Sequence, residues 1–156
     1  MRVEIKSFSA LSLEELYALL RMRSEIFVVE QQCIYLDLDG KDSKALHVLG
    51  WQGSELCGYC RVFRPGDYFE EASIGRVAVP TKFRGRGHGA RLMEFTIKAI
   101  RQEIGVCPIA ISAQAYLQRF YEELGFKPEG ELYKEDGIPH LRMVFTPDLN
   151  FPSPKS

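Results

Sequence analysis

The sequence predicts one α/β domain in which strands and helices alternate around a mixed sheet. Three observations carry that expectation. First, a strand-like run, Ile74-Gly75-Arg76-Val77-Ala78-Val79, enters a short loop and then Arg84-Gly85-Arg86-Gly87-His88-Gly89, where glycines alternate with basic side chains. Second, an apolar stripe of helical spacing follows directly, at Ala90, Met93, Ile97, Ile100 and Ile104. Third, two strand-like runs meet at Gln52-Gly53-Ser54, which has the composition of a hairpin turn.

Taken in chain order, Ser12 and Glu15 form a capping box. The helix it opens is expected to bury Leu13, Leu16 or Tyr17, and Leu20, and helical character extends through residues 22–27. An irregular acidic stretch over 36–44 includes Asp37, Asp39 and Asp42. With Glu70 and Glu71 these acids read as a solvated face, the alternative being recognition of a cationic amine. Strands are expected over 47–51 and 56–63, a turn at Arg64-Pro65-Gly66-Asp67, and a strand over 72–79. After the glycine loop and its helix come a strand at Ile109, a short helix over 115–124 stopped by Gly125, and a terminal strand pair, 126–128 with 140–145, around the turn at Asp136-Gly137. The domain is placed at 1–146. The tail at 147–156 carries Pro147, Pro152 and Pro154 and cannot pair regularly.

Composition narrows the function. Of 156 residues, 46% are apolar and 26% charged, as in an ordinary globular protein. A net charge of −1 argues against a general nucleic-acid binder, so the basic cluster at the glycines is a local feature. No apolar run has the length of a signal or a membrane span. Together with four cysteines, this points to reduced thiols in the cytoplasm. Cys57 and Cys60 have Cys-x-x-Cys spacing, but positions three apart in a strand face opposite ways. With no second pair available, they read as small buried hydrophobes, and no metal site is expected.

The glycine loop is where chemistry is expected. A helix N-terminus has free N–H groups and the positive end of its dipole, and glycine lets a phosphate approach the backbone closely. Residues 72–93 carry Arg76, Lys82, Arg84, Arg86 and Arg91 and no acidic residue. The run reads as a pyrophosphate cradle. It is not a Walker loop, because no Lys-Ser/Thr pair follows the glycines. Gly85, Gly87 and Ala90 formally meet the dinucleotide fingerprint. However, Pro80 to Gly85 separate it from its strand, and the next strand ends in Ala113-Gln114 without a carboxylate.

Read as Arg84-x-x-Gly87-x-Gly89, the loop resembles the Gln/Arg-x-x-Gly-x-Gly/Ala signature of the GCN5-related N-acetyltransferases, the GNAT superfamily. The segment Phe120-Tyr121-Glu122-Glu123-Leu124-Gly125-Phe126 is similar to the family's Tyr-x-x-x-Gly-Phe. Phe27-Val28-Val29-Glu30-Gln31-Gln32 and Asp136-Gly137-Ile138-Pro139-His140 resemble its ElaA-like branch. One departure is Gln114, where the family often has Asn. The resemblance implies a central, mostly antiparallel sheet with a V-shaped opening between its fourth and fifth strands, flanked by helices. It implies acetyl-CoA as co-substrate, an amine acceptor, and transfer without a covalent enzyme intermediate, and it leaves a homodimer open. The pantetheine arm would lie along Val77, Ala78 and Val79, with Val79 N–H near the thioester carbonyl and Gln114 close by. The pyrophosphate would fall on Arg84, Gly85, Arg86, Gly87, His88, Gly89 and Ala90, with Arg84, Arg86 or Lys82 screening its charge and His88 giving its backbone rather than its ring. Tyr121 would serve the departing thiolate. Glu30, His47 and His140 are the candidate bases, Glu30 and His140 being those the narrower branch favours. The rival expectation is a sensor that binds acyl-CoA or a nucleotide and lacks chemistry.

Overall fold

The structure, a computed structural model, describes residues 1–148. The tail expected at 147–156 therefore lies almost wholly outside the described residues. Eight strands form one sheet: β1 (Arg2–Ser7), β2 (Leu46–Gln52), β3 (Glu55–Phe63), β4 (Ala72–Ala78), β5 (Ile109–Gln114), β6 (Phe126–Pro128), β7 (Tyr133–Glu135) and β8 (Ile138–Phe145). Their order is β1-β2-β3-β4-β5-β8-β6, with β7 paired to β8. The pairing of β4 with β5 is parallel and all the others are antiparallel. Three α-helices flank it: α1 (Leu13–Arg23), α2 (His88–Glu103) and α3 (Gln118–Glu123).

Period-2 alternation in the central strands divides the core. Val48, Cys60 and Val62 face Leu92, Met93 and Ile100 of α2, while Leu49, Leu56 and Tyr59 face Leu19 and Met22 of α1. The capping box at α1 is present, with Glu15 N–H donating to Ser12 Oγ at 3.1 Å and Ser12 N–H to Glu15 Oε1 at 2.8 Å. The expected face of that helix is corrected. Leu13 and Tyr17 are exposed, and Leu19 and Met22 make the burial, with Leu16 and Leu20 beside them. In α2 the stripe is centred on Leu92, Met93, Thr96, Ala99 and Ile100, with Ala90, Ile97 and Ile104 at its margins. The edge strand β1 was not among the strands expected. Strand β7, the hairpin partner of β8, was likewise not expected, so the turn at Asp136-Gly137 joins β7 to β8 rather than β6 to β8.

The acidic stretch is not a solvated face. Asp37 is buried and Asp39 and Asp42 are half-buried, all of them tied to arginines. Arg23, fully buried, donates from Nε to Asp37 Oδ2 at 2.8 Å and from Nη1 to Asp42 Oδ1 at 2.7 Å. Arg61 donates to both Asp39 carboxylate oxygens at 2.9 and 2.8 Å and to Asp42 at 3.0 Å. Arg76 of β4 pairs with Asp37 at 2.8 Å. Burial alone would raise the Asp39 carboxyl, but the Arg61 and Lys41 N–H donors overcome that and hold it down at about 2. Buried charges persist only when paired and hydrogen-bonded in this way. The result is that residues 37–42 are locked onto β3, β4 and the end of α1. Glu71 is likewise paired, with Arg142.

Candidate active site

The site begins with a failure of strand pairing. β4 and β5 are matched only at Ala72 with Ile109 and Ser73 with Ala110, at the start of both strands. Beyond those pairs the strands part, and β5 continues its pairing on the other side with β8 as far as Gln114 with His140. The sheet therefore opens as a V between its fourth and fifth strands. β4 also carries a bulge. Its register to β3 steps from Gly75–Arg61 to Ala78–Tyr59, so one extra residue sits on β4. Arg76, within the step, has φ 52, a left-handed conformation that is uncommon without glycine. Its guanidinium pairs with Asp37 and donates to the Asp37 carbonyl at 3.2 Å. The buried ion network is thus what holds the bulge.

A cavity of about 800 Å³ fills the V, within the range of small-molecule sites. Its walls bring together most of the residues singled out in the sequence: Val77, Ala78 and Val79 from the end of β4; Arg84, Gly85, Gly87, His88, Gly89 and Ala90 at the head of α2; Gln114 from β5; Tyr121 from α3; and Glu30 and His140. Arg86 is exposed and lies outside the lining, and so does Lys82, which pairs with Glu55. Gly85 and Gly87 have φ of 79 and 77, where a side chain would be strained. That conformation turns the chain into α2, whose first N–H groups face the end of the cavity without intrahelical partners.

Each titratable group has a distinct setting. Arg84 donates from Nε to the Val79 carbonyl at 2.8 Å and from Nη2 to Glu30 Oε2 at 2.9 Å. Glu30 also accepts from Thr81 Oγ1 at 3.1 Å. Glu30 is therefore held as an anchor for the loop. Tyr121 is buried between Phe120 and Phe126, with edge-on ring contacts at 5.1 and 5.9 Å, and burial pushes its phenol well up. His140 sits with Nδ1 at 2.7 Å from the Ile138 carbonyl and Nε2 at 3.3 Å from Glu135 Oε2. His47 is not at the cavity. It is fully buried between Tyr59 Oη at 2.7 Å and the Asp42 carbonyl at 2.9 Å, and burial lowers its pKa, so its candidacy as a base is corrected to a structural one. The His88 ring is buried against Phe83, with Nδ1 at 2.9 Å from Arg91 Nη2. Burial and the neighbouring Arg91 lower its pKa. Cys57 and Cys60 are fully buried, with Cys60 pushed up to about 12 by burial. Such thiols are inert.

Sequence reasoning missed Tyr35, Tyr68 and Glu135, which also line the cavity. None belongs to a recognisable spacing. Tyr35 arrives through its hydroxyl, which donates to Asp37 Oδ1 at 3.0 Å, and through the Arg76 guanidinium over its ring.

A sequence profile described as the acetyltransferase (GNAT) domain matches residues 14–147. The chain belongs to this family. Among its relatives is Protein ElaA of Escherichia coli, 44% identical over 138 residues that cover 87% of this chain and 90% of that protein. A UPF0039 protein of Synechocystis is 38% identical over 88% of this chain and 90% of its own length. Two solved structures share the whole architecture. An acyl-CoA N-acyltransferase from Pseudomonas aeruginosa superposes with a TM-score of 0.88 at 39% identity, covering 93% of this chain and 99% of that one. E. coli ElaA gives 0.87 at 41%, covering 92% and 98%. An aminoglycoside 6′-N-acetyltransferase complexed with coenzyme A shares the fold, with a TM-score of 0.70 at 18% identity over 93% of this chain and 99% of that one. The mixed GNAT sheet and the ElaA-like relationship, the latter expected from residues 27–32 and 136–140, are both borne out. Membership supports acyl-CoA-dependent N-acetyltransferase activity. Among the described residues, no helix is long and apolar enough to cross a membrane.

Proposed function

We propose that this protein transfers an acetyl group from acetyl-CoA to a primary amine within a ternary complex. The observation that carries the reading is the bulged, unpaired end of β4 facing a cavity that runs from the head of α2 to Tyr121. In a related fold, the aminoglycoside acetyltransferase, coenzyme A is the bound molecule. Here the pyrophosphate would sit on the N–H groups of residues 84–90, where the helix dipole favours an anion. The pantetheine arm would lie against Val77, Ala78 and Val79 as an added strand, with Gln114 on the opposite wall.

The amine lone pair attacks the thioester carbon, the carbonyl oxygen gains charge, and Val79 N–H donates to that oxyanion. That attack forms the C–N bond; collapse of the intermediate restores the carbonyl and breaks the C–S bond, and the nitrogen loses its second proton to water. Holding the two reactants together supplies much of the acceleration. Tyr121 stabilises the departing thiolate by donating a hydrogen bond. A thiol has a pKa of about 8.5, and a phenol pushed above its usual value of about 10 by burial gives up its proton less readily than that thiol. The proton that completes CoA comes from water. Glu30, engaged by Arg84, keeps the loop in place, and His140 takes the amine proton.

Tyr121→Phe is expected to lower the rate of thiol release by about 10²-fold and to leave acetyl-CoA affinity unchanged. The ring and its packing are retained, so circular dichroism should not change. Rates at saturating acetyl-CoA with calorimetric affinities check this. A mutant as fast as the wild type would return Tyr121 to the core. A loss confined to acetyl-CoA affinity would make its hydroxyl a pantetheine contact.

A further inference from the structure

We propose that Glu135 and His140 form the subsite that takes the acceptor as an alkylammonium ion, the carboxylate holding the charge and the imidazole receiving the proton. The inference rests on the transferase reading and names the acceptor class for it. Four acids line the cavity, Glu30, Asp39, Glu135 and Asp136, and the side-chain partners of the first three differ in kind. Glu30 faces the Arg84 guanidinium and Asp39 faces Arg61 and Arg76. Glu135 instead faces His140 Nε2 at 3.3 Å and Ser112 Oγ at 3.5 Å. Its negative charge is thus directed at an imidazole and a hydroxyl rather than spent on a guanidinium. Its side chain is 46% exposed and that of His140 only 8%, so the pair spans from the mouth of the V to its wall.

The ring is oriented for this role. The Ile138 carbonyl can only accept, so Nδ1 carries a proton and a neutral ring presents its lone pair at Nε2, beside the carboxylate. Tyr133 stacks on the ring at 6.1 Å and is tied to Ser112 of β5, which closes the other side. Gln114 lies opposite His140 in the β5–β8 register, and Arg142, two residues on, is turned to Glu71 and Glu129. An incoming R–NH₃⁺ donates one N–H to Glu135 and gives one proton to Nε2. The freed lone pair attacks the thioester, and the imidazolium formed lies against the same carboxylate, which stabilises it until the proton leaves to water. Glu135 is therefore a positioning and recognition residue, acting on the reaction through the amine and His140.

The test is a titration of the CoA-bound protein with n-butylammonium chloride, following the His140 ring resonances by NMR, with n-butanol as the uncharged control. The wild type should show saturable shifts with butylammonium and none with butanol. Glu135→Gln keeps the side-chain length at a half-exposed position and should weaken butylammonium by about tenfold, the worth of a charge-assisted hydrogen bond. Equal affinity in the two proteins, an equal response to butanol, or no saturable shift in a wild type that binds CoA normally would overturn the subsite and leave the transferase reading standing. Failure of the wild type to bind CoA at all would overturn that reading as well.

Discussion

Gly87→Glu is expected to abolish acetyl-CoA binding while the protein remains folded. Gly87 caps α2 with φ 77, and a Cβ built there meets no atom within 4 Å. The substitution therefore costs about 1 kcal/mol of backbone strain rather than a clash. Against a stability of about 5–15 kcal/mol, that is tolerated. The carboxylate, however, enters the position proposed for the pyrophosphate, where it displaces the anion and repels it. Isothermal calorimetry should find no heat of binding, with the far-ultraviolet spectrum of the wild type. Retained affinity would place the phosphates elsewhere than the head of α2.

Arg23→Ala carries the largest expected loss of stability. The guanidinium is fully buried and makes three hydrogen bonds, the third from Nη2 to the Asp37 carbonyl at 3.1 Å. Removing it takes from buried Asp37 and from Asp42 one of their two arginines each, and breaking one side of a buried ion network costs about 3–5 kcal/mol. Urea unfolding should show the loss as a lower midpoint. Because Asp37 also holds Arg76 in the β4 bulge, acetyl-CoA affinity should fall in the surviving folded protein. A loss below about 1 kcal/mol would mean that water or Arg61 and Arg76 take over the carboxylates.

Which of these features the sequence could show depended on the range of the interactions that make them. The glycine turn into α2 was legible because its signal is local: glycines at φ 79 and 77 and a helix stripe all lie within one contiguous stretch. The capping box and the Gly125 stop were legible for the same reason. The buried face of α1 was not, since Leu13, Leu16 and Leu20 fit a helical period as well as Leu16, Leu19 and Met22 do. The choice is made by Leu49 and Tyr59 of the sheet. β1 escaped because it is an edge strand, with Val3 and Ile5 flanked by Arg2, Glu4 and Lys6. The acids at 37, 39 and 42 looked solvated because their partners Arg23, Arg61 and Arg76 are distant in sequence, and pairing at that range leaves no periodic trace. Glu135 was missed for another reason: it is near His140 in sequence, but it faces that ring only because residues 133–135 form β7, a strand the sequence reading did not expect.

The measurement that bears most directly on the central claim is release of free thiol from acetyl-CoA, with mass analysis of the amine, across polyamines, amino acids, peptides and aminoglycosides. Thiol release should depend on both protein and amine and be matched by an N-acetylated product. Binding of acetyl-CoA with no thiol release for any amine would contradict that claim and leave a sensor of acyl-CoA in place of an enzyme.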